Sequence, residues 1–164
     1  MAKAVALYPG SFDPVTRGHL DIIRRISKTM EHVTVAVLDN PRKQAVFSID
    51  ERVEMLRRVT QAYENVTVDY YNGLLVDYAR EKKISIIIKG LRAVSDFEFE
   101  FQMALVNRKL NPDIETMFMM THSKYSYLSS SIVKEIASFG GDVRELVPPE
   151  AYDIIAAKFN LRFQ

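Results

Sequence analysis

YPGSFDPVTRGHLDII, residues Tyr8 to Ile23, ends a short apolar run in a turn and then opens a helical pattern. The turn contains Pro9, Gly10, Pro14 and Gly18, and His19 stands where the helix begins. Strand, turn and helix in that order make the first half of a βαβ unit, and the rest of the chain repeats the alternation. AVALY (Ala4–Tyr8), VTVAVL (Val33–Leu38), VTVDYY (Val66–Tyr71), SIIIK (Ser85–Lys89) and the Met-rich TMFMM (Thr116–Met120) predict strands.

Helical patterns lie between and after them. Leu20, Ile23, Ile26 and Met30 recur at helical spacing, as do Val53, Leu56, Thr60 and Tyr63. Ser48 and Glu51 open the second set as a capping box. Leu74–Lys82 predicts a shorter helix. SSSIVKEIASFGG predicts another, with serines at its start and Gly140 at its end, and PPEAYDIIAAKF a last one. DFEFEF (Asp96–Phe101) alternates like a strand, yet Phe97, Phe101 and Leu105 fall four apart and good helix formers follow. Helix is expected from about Ser95 to Leu110. The sum predicts an α/β fold: a Rossmann-like, doubly wound, parallel five-stranded sheet with helices on both faces, one domain over residues 1–164.

Composition narrows the function classes. The 164 residues carry 22 basic and 21 acidic side chains for a net charge of +1, without the basic excess of a nucleic-acid module. There is no cysteine, which excludes disulfides, thiolate metal sites and a thiol nucleophile. No segment approaches the ~20 apolar residues of a spanning helix. No membrane partner and a cytoplasmic location are therefore expected.

In such sheets ligands bind beyond the carboxyl ends of the strands, where strand order reverses. The βα turns, 9–19, 39–47, 72–74, 89–95 and 121–131, are therefore the place to look. They hold Ser11 and His19, Arg42 and Lys43, Lys89 and Arg92, and the triplet Ser129–Ser131. Positive side chains, helix starts and a hydroxyl run facing one crevice suit a polyphosphate. Neither G-x-G-x-x-G after a strand nor G-x-x-x-x-G-K-[ST] occurs, which counts against a dinucleotide oxidoreductase and a P-loop NTPase.

TRGH (Thr16–His19) resembles the (H/T)-x-G-H signature of the nucleotidylyltransferase superfamily. LSSSIVKEI (Leu128–Ile136) resembles its second motif, although a serine triplet alone is more often a helix cap than a ligand site. YPGSFDPVTRGHLDI, KGLRAVSDFEFE and YSYLSSSIVKE in this order resemble the phosphopantetheine adenylyltransferase family, from about Ala4 to Pro149.

The resemblance implies transfer of an adenylyl group from ATP to 4′-phosphopantetheine, giving dephospho-coenzyme A and pyrophosphate, with magnesium accompanying ATP and no dedicated protein metal site. It implies His19 as the catalytic residue, stabilising charge on the α-phosphate. Ser11, Phe12, Gly90, Leu91, Arg92, Glu100 and the run Tyr125, Ser126, Tyr127, Leu128, Ser129, Ser130 and Ser131 would contact ATP. Ser11, Lys43, Leu75 and Lys89 would contact 4′-phosphopantetheine, with Leu74 beside its arm. A homohexamer is implied as well. Two positions depart from the family pattern: Lys89 replaces the usual arginine before GLR, and Phe99 replaces a tyrosine.

The inventory suits this chemistry on its own terms. A phosphate monoester is largely dianionic at neutral pH, with a second pKa near ~6. Such a nucleophile needs no activating triad; it needs positioning, charge screening and stabilisation during in-line displacement. Two other readings stay open at this level. One is another superfamily member, such as a cytidylyltransferase or a nicotinamide mononucleotide adenylyltransferase; the other is a nucleotide-binding module without turnover.

Overall fold

The computed structural model describes residues 4–39 and 44–161; Arg42 and Lys43 lie outside the described residues. The chain runs β1 (Val5–Gly10), α1 (Arg17–Thr29), β2 (His32–Asp39), α2 (Ile49–Thr60), β3 (Val66–Asn72), α3 (Leu75–Glu81) and β4 (Ile86–Leu91). It continues with α4 (Val94–Leu110), β5 (Glu115–Met120), a 3-10 turn at Ser123–Tyr125, α5 (Ser130–Ser138) and α6 (Pro149–Phe159).

All neighbouring strands are parallel, in the order β3-β2-β1-β4-β5. The chain builds outward from β1 to β3, then crosses back to lay β4 on the other side of β1. Strand order therefore reverses between β1 and β4. β1 pairs with β2 from Val5↔His32 to Gly10↔Val37, but with β4 only at Ala6↔Ile86 and Leu7↔Ile87. Pro9, which has no N–H to give, comes two residues after that second ladder ends.

Two strands outrun the sequence prediction by two residues at their carboxyl ends. β1 continues through Pro9 and Gly10, and β4 through Gly90 and Leu91. Each is drawn on by one neighbour, β2 in the first case and β5 in the second, where Gly90 pairs with Met119 and Leu91 with Met120. Lys89 and Gly90 thus sit on a strand end, not in a turn.

Side chains alternate across the sheet, so each strand feeds two cores. Ala6, Tyr8, Val35 and Ile88 face one side, with Ile22, Ile23 and Ile26 of α1, Met55 and Leu56 of α2, Val133 of α5 and Ile155 of α6. Leu7, Ala36 and Ile87 face the other, with Val76 and Ala79 of α3. The expected helix over Asp96–Phe101 forms, and Phe97 and Phe101 stack one turn apart at 5.5 Å. Its packing is unusual. Asn107 is the buried residue of α4, while Phe99, Phe101, Leu105, Val106 and Leu110 stay exposed, as do Met117 and Met120 on the two faces of the edge strand β5. No helix among the described residues is long and apolar enough to cross a membrane.

Candidate active site

A crevice of about 780 Å³ opens where the strand order reverses, beyond the carboxyl ends of β1 and β4. Ser11, Phe12, Gly18 and His19 line it from the β1–α1 turn, and Lys89, Gly90, Arg92 and Glu100 from β4 and α4. Leu128, Ser129 and Ser130 close it at the start of α5. At the β3–α3 turn the wall is apolar, made by Tyr71, Leu74 and Leu75 with Leu38 of β2. One crevice thus has a polar end and an apolar end.

Phe12 shapes the first turn. Its φ of 47° puts a bulky residue in the left-handed region, and burial of its ring between Tyr8 and His19 compensates. A methyl on Gly10 would meet that ring at 3.0 Å, so a larger residue there would push the ring aside by a few tenths of an ångström. Gly18 differs: an added Cβ would meet Thr16 and Tyr125 only at ordinary contact distances of 3.5 and 3.6 Å. The space beside Gly18 belongs to the crevice, in keeping with close approach of a ligand.

His19 is held by a capping box. Thr16 caps α1 and accepts the His19 N–H at 3.3 Å, while its own N–H donates to His19 Nδ1 at 3.1 Å. An accepting Nδ1 leaves the ring proton on Nε2. Burial, with the Arg92 charge second, pushes the imidazole down from 6.5 to about 4. At neutral pH His19 is therefore an uncharged donor, set at a helix start where partial positive charge accumulates.

Arg92 grips Asp96 through Nε and Nη2, both at 2.9 Å, and donates from Nη1 to the Leu128 carbonyl at 3.2 Å. Burial works to raise the Asp96 carboxyl, but the Arg92 hydrogen bonds and charge outweigh it and hold it below the usual range. Lys89 Nζ lies 3.3 Å from Glu100 Oε2, an ion pair without hydrogen-bond geometry. Ser129 caps α5 by accepting the Ile132 N–H at 3.1 Å, and Ser130 Oγ donates to the Pro14 carbonyl at 2.7 Å. Part of the serine triplet's hydroxyl capacity is thus spent on structure.

Other expected contacts lie off the crevice wall. Leu91 is buried, and its carbonyl accepts from Thr121. Tyr125 packs at the edge of the core, Ser126 donates to the Ser123 carbonyl, and Tyr127 and Ser131 are exposed. Lys43 lies outside the described residues. Sequence reasoning passed over Thr16 as a holder of His19, and it passed over Arg52. Buried Arg52 donates to the carbonyls of Ser11 and Leu38 at 3.0 and 3.2 Å, tying the ends of β1 and β2 together.

A cytidylyltransferase-like family model matches residues 7–136. A phosphopantetheine adenylyltransferase of Clostridium botulinum is 59% identical over 155 residues, covering 94% of each chain. That of Caldanaerobacter subterraneus subsp. tengcongensis is also 59% identical, over 160 residues and 98% of each chain. The chain belongs to the phosphopantetheine adenylyltransferase family. It is a nucleotidyltransferase, which removes the reading as a binding module without turnover. The fold has a wider distribution. Plasmodium falciparum nicotinic acid mononucleotide adenylyltransferase complexed with NaAD superposes with a TM-score of 0.70 at 14% identity, over 99% of this chain and 100% of that one.

Proposed function

We propose that this crevice transfers the adenylyl group of ATP to 4′-phosphopantetheine, forming dephospho-coenzyme A and releasing pyrophosphate. The observation that carries the reading is His19: a neutral ring with its proton on Nε2, at a helix start, facing a crevice with one polar and one apolar end. An oxygen of the acceptor phosphate attacks the α-phosphorus, the bond from that phosphorus to the bridging oxygen breaks, and the electron pair leaves with pyrophosphate. No proton need be removed from the nucleophile. His19 Nε2–H donates to the α-phosphate oxygen as charge gathers there.

The remaining residues divide along the crevice. Lys89 and Ser11 would receive the acceptor phosphate, and Leu74, Leu75 and Tyr71 its apolar arm. Gly90, Arg92, Ser129 and Ser130 would face the nucleotide, with Glu100 beside them and Leu128 beneath. Lys43 completes the acceptor side by resemblance alone. Among the described residues no group of three or more His, Asp or Glu is placed to hold a metal. Magnesium would come with ATP and would neutralise charge on its phosphates. The exposed apolar side chains of α4 support self-association, and the homohexamer is what the resemblance implies. An ATP-dependent reaction on a phosphorylated acceptor supports a cytoplasmic location.

A coupled assay for pyrophosphate with ATP and a panel of acceptors tests this. Release with 4′-phosphopantetheine, and none with nicotinamide mononucleotide or phosphocholine, is the expected outcome. The reverse preference would sink the reading.

A further inference from the structure

Asp13 follows the Ser11–Phe12 turn and is 5% exposed. Its carboxylate gathers donors from two distant parts of the chain. Oδ1 accepts the Phe47 N–H at 2.8 Å, and Oδ2 the Val46 N–H at 3.1 Å, both just ahead of α2. Lys134 Nζ, on the second turn of α5, donates to the same Oδ2 at 2.8 Å. The Ser130 Oγ bond to the Pro14 carbonyl runs alongside. Burial opposes an ionised carboxylate here, but Lys134 and the two amides outweigh it and keep Asp13 below its usual pKa. Neither Asp13 nor Lys134 lines the crevice. The pair sits behind it.

We infer that Asp13 and Lys134 are positioning residues for the transfer, an inference that rests on the function proposed above. The pair sets the spacing between the β1–α1 turn, which carries Ser11 and Phe12, and the start of α5, which carries Ser129 and Ser130. In-line displacement needs attacking oxygen, phosphorus and leaving oxygen aligned, and the two anions are held by different segments. Each substrate keeps contacts on β4 and the turns beside it whether or not the two segments are in register. Only the reaction needs the register, and a misplacement of ~1 Å can cost ~10²-fold in rate. The pair acts on kcat and leaves both KM values almost alone.

Lys134→Met tests this in the full chain, because it removes the cross-link while leaving Asp13 its two backbone donors. Pyrophosphate release with ATP and 4′-phosphopantetheine is expected to show kcat reduced by about tenfold or more. Both KM values should stay within about threefold of wild type, a split that loosening of the fold alone would not produce. Lys134→Arg, which keeps a charged donor, should restore most of kcat. Amide hydrogen exchange over residues 44–48 should quicken in Lys134→Met and return in Lys134→Arg. The inference is overturned if Lys134→Met keeps wild-type kcat, if its defect lies in KM for both substrates, or if Lys134→Arg restores nothing. A wild-type chain that releases no pyrophosphate overturns the functional reading and this inference together. An active wild type matched by Lys134→Met overturns this inference alone.

Discussion

The role proposed for His19 combines two properties that can be measured separately, a donor for the transition state and a ring kept neutral. His19→Ala removes the donor, and kcat should fall ~10²–10³-fold with KM for ATP nearly unchanged. Raised KM with intact kcat would make it a simple binding residue. The depressed pKa also has a sign for stability. Between about 4 and 6.5 the unfolded chain binds a proton at this position that the folded chain refuses, so stability rises with pH across that window. The contribution is complete above 6.5 and lost as pH falls toward 4. Melting temperatures from pH 6.5 to 5 should drop more steeply for wild type than for His19→Asn. Lys89 tests charge against geometry. Lysine supplies a mobile point charge where arginine supplies a planar fork, so Lys89→Arg should be tolerated and lower KM for 4′-phosphopantetheine. Lys89→Ala should lose most of kcat/KM; wild-type kinetics in that variant would remove Lys89 from the site. At this scale the legible residues were those whose motif neighbours are adjacent in the chain. Asp13 was not, because its donors lie 33, 34 and 121 residues away and its own surroundings look like an ordinary Asp-Pro turn.

Two helices begin with the same device, and only one of them serves the crevice. Ser48 with Glu51 caps α2, and Thr16 with His19 caps α1. Ser48→Ala and Thr16→Ala should each cost about 1 kcal/mol. In a chain of this size that lowers the melting temperature by roughly 2–4 °C. Thr16→Ala alone should also cut kcat, by up to ~10²-fold, because the imidazole loses part of its hold. Equal activity in the two variants would reduce the α1 cap to a stability element. Ser48 was readable because glutamate three residues on is the usual partner. Histidine in that place hides the box from a pattern search. The first four strands were readable from their β-branched and aromatic runs, but not their ends, since β1 and β4 extend where neighbours pair with them.

For the whole molecule, α4 sets the expectation. A helix that leaves Val94, Phe97, Phe99, Phe101, Met103, Leu105, Val106 and Leu110 exposed along its length needs a partner. Leu105, at 53% exposed, points away from the crevice walls. Sedimentation should show wild type as an assembly and Leu105→Glu as a smaller species; an unchanged sedimentation coefficient would place the interface elsewhere. The alternation of DFEFEF hid this surface, because it spreads aromatic residues around the helix and leaves no single apolar stripe to read.

The short ladder between β1 and β4 gives the sheet a suture line. Two paired positions join a β3-β2-β1 raft to a β4-β5 raft, and the crevice lies along the gap between them. A ligand touching Ser11 and His19 on one raft and Lys89, Gly90 and Arg92 on the other acts as a splint. Beyond Leu7 and Ile87 no ladder among the described residues joins the two rafts, so at this end they are held by the packing of side chains such as Tyr8, Ile22 and Ile88. Once bound, the ligand's own phosphates would bridge the gap. The reacting groups would then be held in place by the same bridge that brings the two rafts to a common ligand.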